Sequence, residues 1–303
     1  MMGTTFYYNW EIQLISFIQR HLNSFGIFLL SLISEFGEEI VIVLFAGALY
    51  WGFHKKLGKY LILNVLVSLV FSTMIKNLFS RRRPYFDSDD IDCLKIVDEE
   101  FDVLDAYGQG FSFPSAHTSN VTSLFSSLYL YTKKKILLVL AVIVIVLVGF
   151  SRFALGVHYP TDVLFGLLVG LITVFLLSKL YGKTEKKKLY AVIAVLSLTG
   201  FFYCRSSDYY SAAGLLCGFL AGDLYEERLV GFEDTKNLFT GILRTLGGVL
   251  ILVGVSALIK LPFSEGFLES EVFAAFFIRF FRYCLATFLA VGPYPSLFRY
   301  LKK

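Results

Sequence analysis

The sequence is poor in the features that hold soluble and secreted proteins together. Only 17% of its 303 residues are charged, and proline occurs six times. Its four cysteines, Cys93, Cys204, Cys217 and Cys284, show neither metal-ligand spacing nor a disulfide framework. No long Pro-, Gly- or Ser-rich linker divides the chain, and no clear internal repeat is present. The opening MMGTTFYYNW lacks a basic leader and a cleavable pattern, so no signal peptide is expected. The formal net charge of +4 is small, and no nucleic-acid partner is expected. What is abundant is apolar surface. Hydrophobic residues make up 56% of the chain and aromatics 17%. The mean hydropathy is +0.67. A soluble domain has no use for so much, whereas a multi-span membrane protein needs it.

About 20 apolar residues cross a bilayer as a helix. Stretches of that kind lie near 37–53, 60–79, 115–132, 136–156, 161–181, 189–204, 208–224, 238–260 and 272–298. They predict an all-α, polytopic membrane helix bundle with about 8–9 transmembrane helices. The stretch 115–132 is rich in serine and threonine and should face other helices. In residues 1–36, Arg20 and His21 interrupt the apolar pattern, which predicts interfacial or re-entrant helices with Trp10 at headgroup level. Residues 37–182 then form a core of spans, and 183–303 add further ones.

Charge orients the spans. Lys55, Lys56 and Lys59, Lys133 to Lys135, Lys183 and Lys186 to Lys188, Arg228 and Lys236, and Lys302 and Lys303 all fall on one side if the spans alternate. The positive-inside rule makes that side cytoplasmic. The connections after 79, around 151–160 and after 260 then face outward. Arg279 and Arg282 fit poorly, since they fall inside the last apolar stretch. The loop from Tyr85 to Phe113 carries nine acids from Asp87 to Asp105, including Asp98, Glu99 and Glu100. A solvated acidic surface is the reading for it, with cation binding or filtering of anionic lipids as the functional alternative.

Three polar segments lie at the predicted outer ends. In the first, Lys76 and Arg83 stand seven residues apart, two helical turns, and Pro84 disfavours helix at Arg83. The turn should open there and let the guanidinium swing inward. Arg81 and Arg82 read as lipid-facing side chains that snorkel to headgroups. In the second segment, Pro114-Ser115-Ala116-His117 precede an apolar helix whose N–H groups suit an anion. Ser115 either caps that helix or donates to a phosphate oxygen, and His117 can supply a proton. In the third, Pro160 suits the first position of a helix, which sets His158 just before it and Asp162 in its first turn. A carboxylate so placed can hold one imidazole nitrogen and leave the other to attack. Gly156 allows a close backbone approach to a ligand.

Together, Lys-x6-Arg-Pro, Pro-Ser-Ala-His and Ser-Arg-x5-His-x3-Asp resemble the signature of the type 2 phosphatidic acid phosphatase superfamily. That family includes lipid phosphate phosphatases, undecaprenyl-diphosphate phosphatases, sphingosine-phosphate phosphatases, glucose-6-phosphatase and vanadium haloperoxidases. The resemblance covers about residues 60 to 180, and Ala116 stands where the family usually has glycine. It implies that His158 attacks phosphorus with Asp162 holding its tautomer, and that His117 acts as acid and then base. Lys76, Arg83, Ser115, the Ala116 N–H and Arg152 would hold phosphate oxygens, with no metal and no cofactor. The implied substrate is a lipid phosphate or diphosphate entering from the bilayer, with polyprenyl diphosphate ranked first. The site would face outward on a bacterial plasma membrane, or the lumen of the endoplasmic reticulum in a eukaryote. Gly37-Glu38-Glu39 resembles the sphingosine-phosphate and dolichyl-diphosphate branch, although a plain helix start explains Glu38 and Glu39 too. Gly214, Gly218 and Gly222 predict close helix packing within the chain or across a homodimer, with Asp223, Glu226 and Glu227 in a solvated loop beyond.

Overall fold

The computed structural model describes residues 3–97, 102–105 and 108–301. Asp98, Glu99 and Glu100 of the acidic loop, and Lys302 and Lys303, lie outside the described residues. In chain order the α-helices are α1 (Asn9–His21), α2 (Ser24–Ser34), α3 (Glu39–Gly47), α4 (Lys55–Phe79), α5 (Pro84–Asp87), α6 (Ala116–Thr132) and α7 (Lys135–Ala154). They continue with α8 (Pro160–Leu180), α9 (Lys186–Leu198), α10 (Ser207–Tyr225), α11 (Leu238–Lys260), α12 (Glu265–Leu268) and α13 (Phe273–Val291). Each of the nine apolar stretches falls on a helix. Helices α4, α7, α8 and α11, and the stretch Phe273–Tyr300 that includes α13, are long and apolar enough to cross a membrane. Among the described residues the only bridge of strand type pairs Thr4 with Arg81.

The chain divides into two compact units. One holds Met1–Val41 and Phe71–Val174, the other Ile42–Val70 and Phe175–Lys303. In the first, α6 is lined by buried Thr118, Ser119, Asn120, Thr122, Ser123 and Ser127, so its polar face does look inward. Ser72 and Ser119 share a buried hydrogen bond of 2.8 Å. Helix α7 instead exposes Val139, Val142, Val146 and Leu147, an apolar face that hydrocarbon would cover. Its far end packs Ala154, Leu155 and Val157 on Leu30 of α2. Gln19 of α1 pins the loop after α5 by donating to the Asp92 carbonyl at 2.9 Å and accepting from the Asp92 N–H at 3.0 Å. That loop is not simply a solvated acidic surface. Asp87 is buried between Arg82, Thr5 and the Tyr159 hydroxyl.

In the second unit, the Gly214, Gly218 and Gly222 row meets α13 of the same chain, so the close packing is internal. A Cβ at Gly214 would overlap the Phe280 carbonyl, and one at Gly218 the Cys284 carbonyl. Two of the three acids beyond that row correct the expectation of a solvated loop, while Glu227 is exposed as expected. Asp223 and Glu226 are fully buried. Lys59 pairs with both, at 2.8 Å to Glu226, while Lys55 reaches Glu226 at 2.5 Å. Lys186 pairs with Asp223 and Glu227 at 2.5 Å each. Arg282 is likewise buried, over the Tyr283 ring, and faces the protein interior.

Gly218→Ala should therefore destabilise the protein by about 1–3 kcal/mol, as overpacked sites do. Gly254→Ala, where an added Cβ meets nothing within 4 Å, should leave the unfolding temperature in detergent unchanged or higher.

Candidate active site

Helix α4 delivers buried Lys76 in its last turn, and its Nζ donates to the Phe111 carbonyl at 2.6 Å. The chain then leaves the helix at Ser80, and the N-terminal strand-like segment clamps the exit through Thr4 N–H to the Ser80 carbonyl (2.7 Å) and Arg82 N–H to the Thr4 carbonyl (3.0 Å). Arg83 is extended, as the proline after it requires, and Pro84 opens α5. Its guanidinium turns inward, donating to the carbonyls of Gln109 (2.7 Å) and Val157 (2.9 Å). The Val157 carbonyl belongs to the residue before His158.

Ser115 is the N-cap of α6. Its Oγ accepts from the Thr118 N–H at 3.4 Å and from the Thr118 hydroxyl at 3.0 Å, so neither bond uses its own proton. The Ser115 N–H donates to the Asp162 carbonyl at 3.0 Å, tying the second polar segment to the third. Ala116 opens the helix, where an N–H has no intrahelical acceptor. His117 follows, and its Nε2 lies 2.9 Å from Glu38 Oε1. Glu39 does begin α3, but Glu38 is more than a helix start.

Arg152 sits buried in the last turn of α7, with Nη1 donating to Ser34 Oγ at 2.5 Å. Gly156 has φ +79, and its close approach is to the Asp92 carbonyl and the Gln19 side chain rather than to a ligand. Pro160 takes the first position of α8, which puts Asp162 in the first turn and His158 just ahead of it. The His158 Nδ1 to Asp162 Oδ2 distance is 3.5 Å, beyond a well-formed hydrogen bond, and Nδ1 has no other partner among the described residues. Asp162 Oδ2 accepts instead from the Tyr159 N–H at 2.7 Å.

The other Asp162 oxygen is held by a residue read from the sequence as lipid-facing. Arg81 is 1% exposed. It donates to Asp162 Oδ1 at 2.6 Å, to Glu11 Oε2 at 2.9 Å and to Thr161 Oγ1 at 2.7 Å. Its guanidinium lies 3.8 Å over the Tyr159 ring. Glu11, fully buried, also accepts from the Thr161 hydroxyl at 2.7 Å. Snorkelling is corrected for Arg82 as well, which pairs with Asp87 at 2.6 Å. The reason is the same for both: buried carboxylates stand closer than headgroups would. Glu11 was missed because a single acid nine residues before the first interrupting charge carries no motif; its isolation among apolar and aromatic neighbours was the available signal.

Burial, together with the charges of Arg83, Arg152 and Lys76, holds the His158 pKa well below its ordinary 6.5. The imidazole is thus neutral at pH 7 amid three cations. A neutral imidazole keeps one nitrogen lone pair free, and the three cations around it suit an anion. Among the described residues no group of three or more His, Cys, Asp or Glu side chains is placed to hold a metal ion.

Comparison with known proteins decides the family. The PAP2 superfamily profile matches residues 57–186, and the PAP2 superfamily phosphatase transmembrane extension matches 210–303. Phosphatidylglycerophosphatase B of Bacillus subtilis is 31% identical over 51% of this chain and 71% of its own length. The chain belongs to the PAP2 superfamily. The undecaprenyl-diphosphatase of Sulfolobus acidocaldarius is 30% identical over 49% of this chain and 66% of its own. A probable sphingosine-1-phosphate phosphatase of Dictyostelium discoideum is 26% identical over 72% of this chain and 57% of its own. No solved structure gives a significant match. PAP2 relatives with these names act on diverse lipid phosphates, and the transmembrane extension and apolar helices make this member an integral membrane protein.

Two outcomes are expected. Arg81→Ala leaves Asp162 and Glu11 buried without their counter-charge, and should destabilise the fold by about 3–5 kcal/mol in thermal or denaturant unfolding. The His158 shift adds a pH dependence with a definite sign. Below pH 6.5 the unfolded chain binds a proton at His158 that the folded chain refuses, so stability falls as pH falls. The drop in unfolding temperature from pH 6.5 to about pH 5 should be smaller in His158→Phe than in the natural chain.

Proposed function

We propose that this PAP2 member hydrolyses a lipid phosphate or diphosphate through a phosphohistidine on His158, without a metal, with a polyprenyl diphosphate ranked first among substrates. The observation that carries the reading is the buried, neutral His158, 3.5 Å from Asp162 and set among Lys76, Arg83 and Arg152. With Nδ1 facing Asp162, Nε2 attacks phosphorus and the bond from phosphorus to the leaving oxygen breaks. His117 gives that oxygen its proton. His117 then takes a proton from water, whose oxygen attacks phosphorus and breaks the P–N bond. Lys76, Arg83, Arg152, the Ser115 hydroxyl and the Ala116 N–H hold the other phosphate oxygens, so the charge relief comes from fixed cations and donors. The three segments lie at helix ends that the lysine distribution assigns to the outer side, which suits a lipid whose headgroup lies at that surface.

The archaeal relative named as an undecaprenyl-diphosphatase supports the polyprenyl ranking. A second reading, a sphingoid phosphate, is favoured by the slime-mould relative, whose match extends over 72% of this chain.

Phosphate release from polyprenyl diphosphate, sphingoid phosphate and diacylglycerol phosphate, by purified protein with a chelator present, tests substrate and metal independence together. The expected result is fastest release from polyprenyl diphosphate, inhibition by vanadate, and background rates for His158→Ala. Rapid quenching with labelled substrate should trap an acid-labile, base-stable phosphoprotein, more of it in His117→Ala. Loss of all activity in chelator sinks the metal-free mechanism. A phosphorylated acceptor with little free phosphate would make the chain a phosphotransferase using the same residues.

A further inference from the structure

Between α2 and α3 the chain makes one tight turn, Glu35–Gly37, that brings Glu38 against the first turn of α6. The turn is fastened from both sides. Arg152 donates to Ser34 Oγ at 2.5 Å just before it, and Lys95 lies 2.6 Å from Glu35 Oε1 and 4.0 Å from Glu38 Oε1. Gly37 is where the His117 ring rests. A Cβ there would sit 2.8 Å from His117 Cβ and 2.9 Å from its Cδ2. The glycine is needed for space, and the space it leaves is filled by the imidazole.

The bland account of Glu38 is a half-exposed acid paired with Lys95. The distances favour His117, at 2.9 Å against 4.0 Å. The charged groups around the ring are Glu38 from the turn, Arg152 from α7 and Lys76 from α4, with Lys95 behind Glu38. Burial, Arg152 and Lys76 all oppose a positive charge on His117, and Glu38 is the anion that favours it. A general acid set among phosphate-binding cations needs such a partner.

We propose that Glu38 is the positioning residue for His117, fixing its ring through Nε2 and strengthening its hold on the proton that serves the leaving group. With Nε2–H donated to Glu38, the Nδ1–H is the proton that passes to the departing lipid oxygen. The ring is then neutral, keeps its bond to Glu38, and takes a proton back at Nδ1 from the attacking water. Glu38 stays ionised throughout. The carboxylate–histidine pair of His158 and Asp162 thus has a counterpart on the acid side. The inference rests on the acid–base role given to His117 above.

The experiment compares the full chain with Glu38→Gln, Glu38→Asp, Gly37→Ala, His117→Ala and the double variant Glu38→Gln/His117→Ala, in detergent. Each is assayed on an alkyl lipid phosphate and on p-nitrophenyl phosphate, whose leaving group departs without a proton. Unfolding temperatures check that each variant is folded. For the alkyl substrate, Glu38→Gln should lower kcat about tenfold or more while KM and vanadate inhibition change less than about twofold. The alkaline limb of its pH profile should move to lower pH, the loss should shrink with p-nitrophenyl phosphate, and Glu38→Asp should recover part of the rate. Gly37→Ala should resemble Glu38→Gln, and the double variant should be no slower than His117→Ala alone. An equal loss on both substrates with an unmoved pH profile, or a loss that adds to that of His117→Ala, overturns the role of Glu38 and leaves the site intact. Full alkyl-phosphate activity in His117→Ala overturns the acid–base reading itself.

Discussion

A guanidinium with 1% of its surface exposed must be neutralised where it sits, because a lone charge so deep would unfold the region around it. Arg81 meets this demand with two carboxylates, Asp162 on one side and Glu11 on the other. Its third partner, Thr161, is bonded to Glu11 as well, so the start of α8 and the start of α1 share one set of hydrogen bonds. What this fixes is the direction of Asp162. With Oδ1 taken by Arg81, Oδ2 is the oxygen turned toward the Tyr159 N–H and toward His158. His158 therefore inherits its position from residues spread over most of the first unit.

How far this was readable from the sequence differs by residue. The nine apolar stretches were legible as helices because each is a long apolar run, and five helices among the described residues are long and apolar enough to cross a membrane. Arg83, Ser115 and Pro160 took their expected backbone places because proline and serine act locally on the residue beside them. Arg81, Glu11, Asp223 and Glu226 were misread or missed for one shared reason. Their ionic partners lie up to 171 residues away, and nothing local distinguishes a charge that will be met from one that will be solvated. Gly156 shows the same limit, since its positive φ is local but the carbonyl it makes room for comes from another segment.

The two histidines sit in different electrostatic settings. His158 is enclosed, with cations around it and its carboxylate at arm's length, which favours a neutral ring. His117 lies at the edge of the same cation group but touches a carboxylate directly, a contact that the His158 ring lacks. Two chemically identical side chains thus meet carboxylates in different ways, one at hydrogen-bond distance and one beyond it.

The buried ion network of the second unit carries a consequence for how the chain is assembled. Lys55 and Lys59 precede their partner Glu226 by 171 and 167 residues. A chain made from its N-terminus exposes these lysines long before the acids that will cover them exist. Until then they are unpaired positive charges. Once α10 arrives, the same ammonium groups are paired and removed from the aqueous surface. Charges that start out bare thereby end as interior bonds, and any later movement of α4 away from α10 would have to break them.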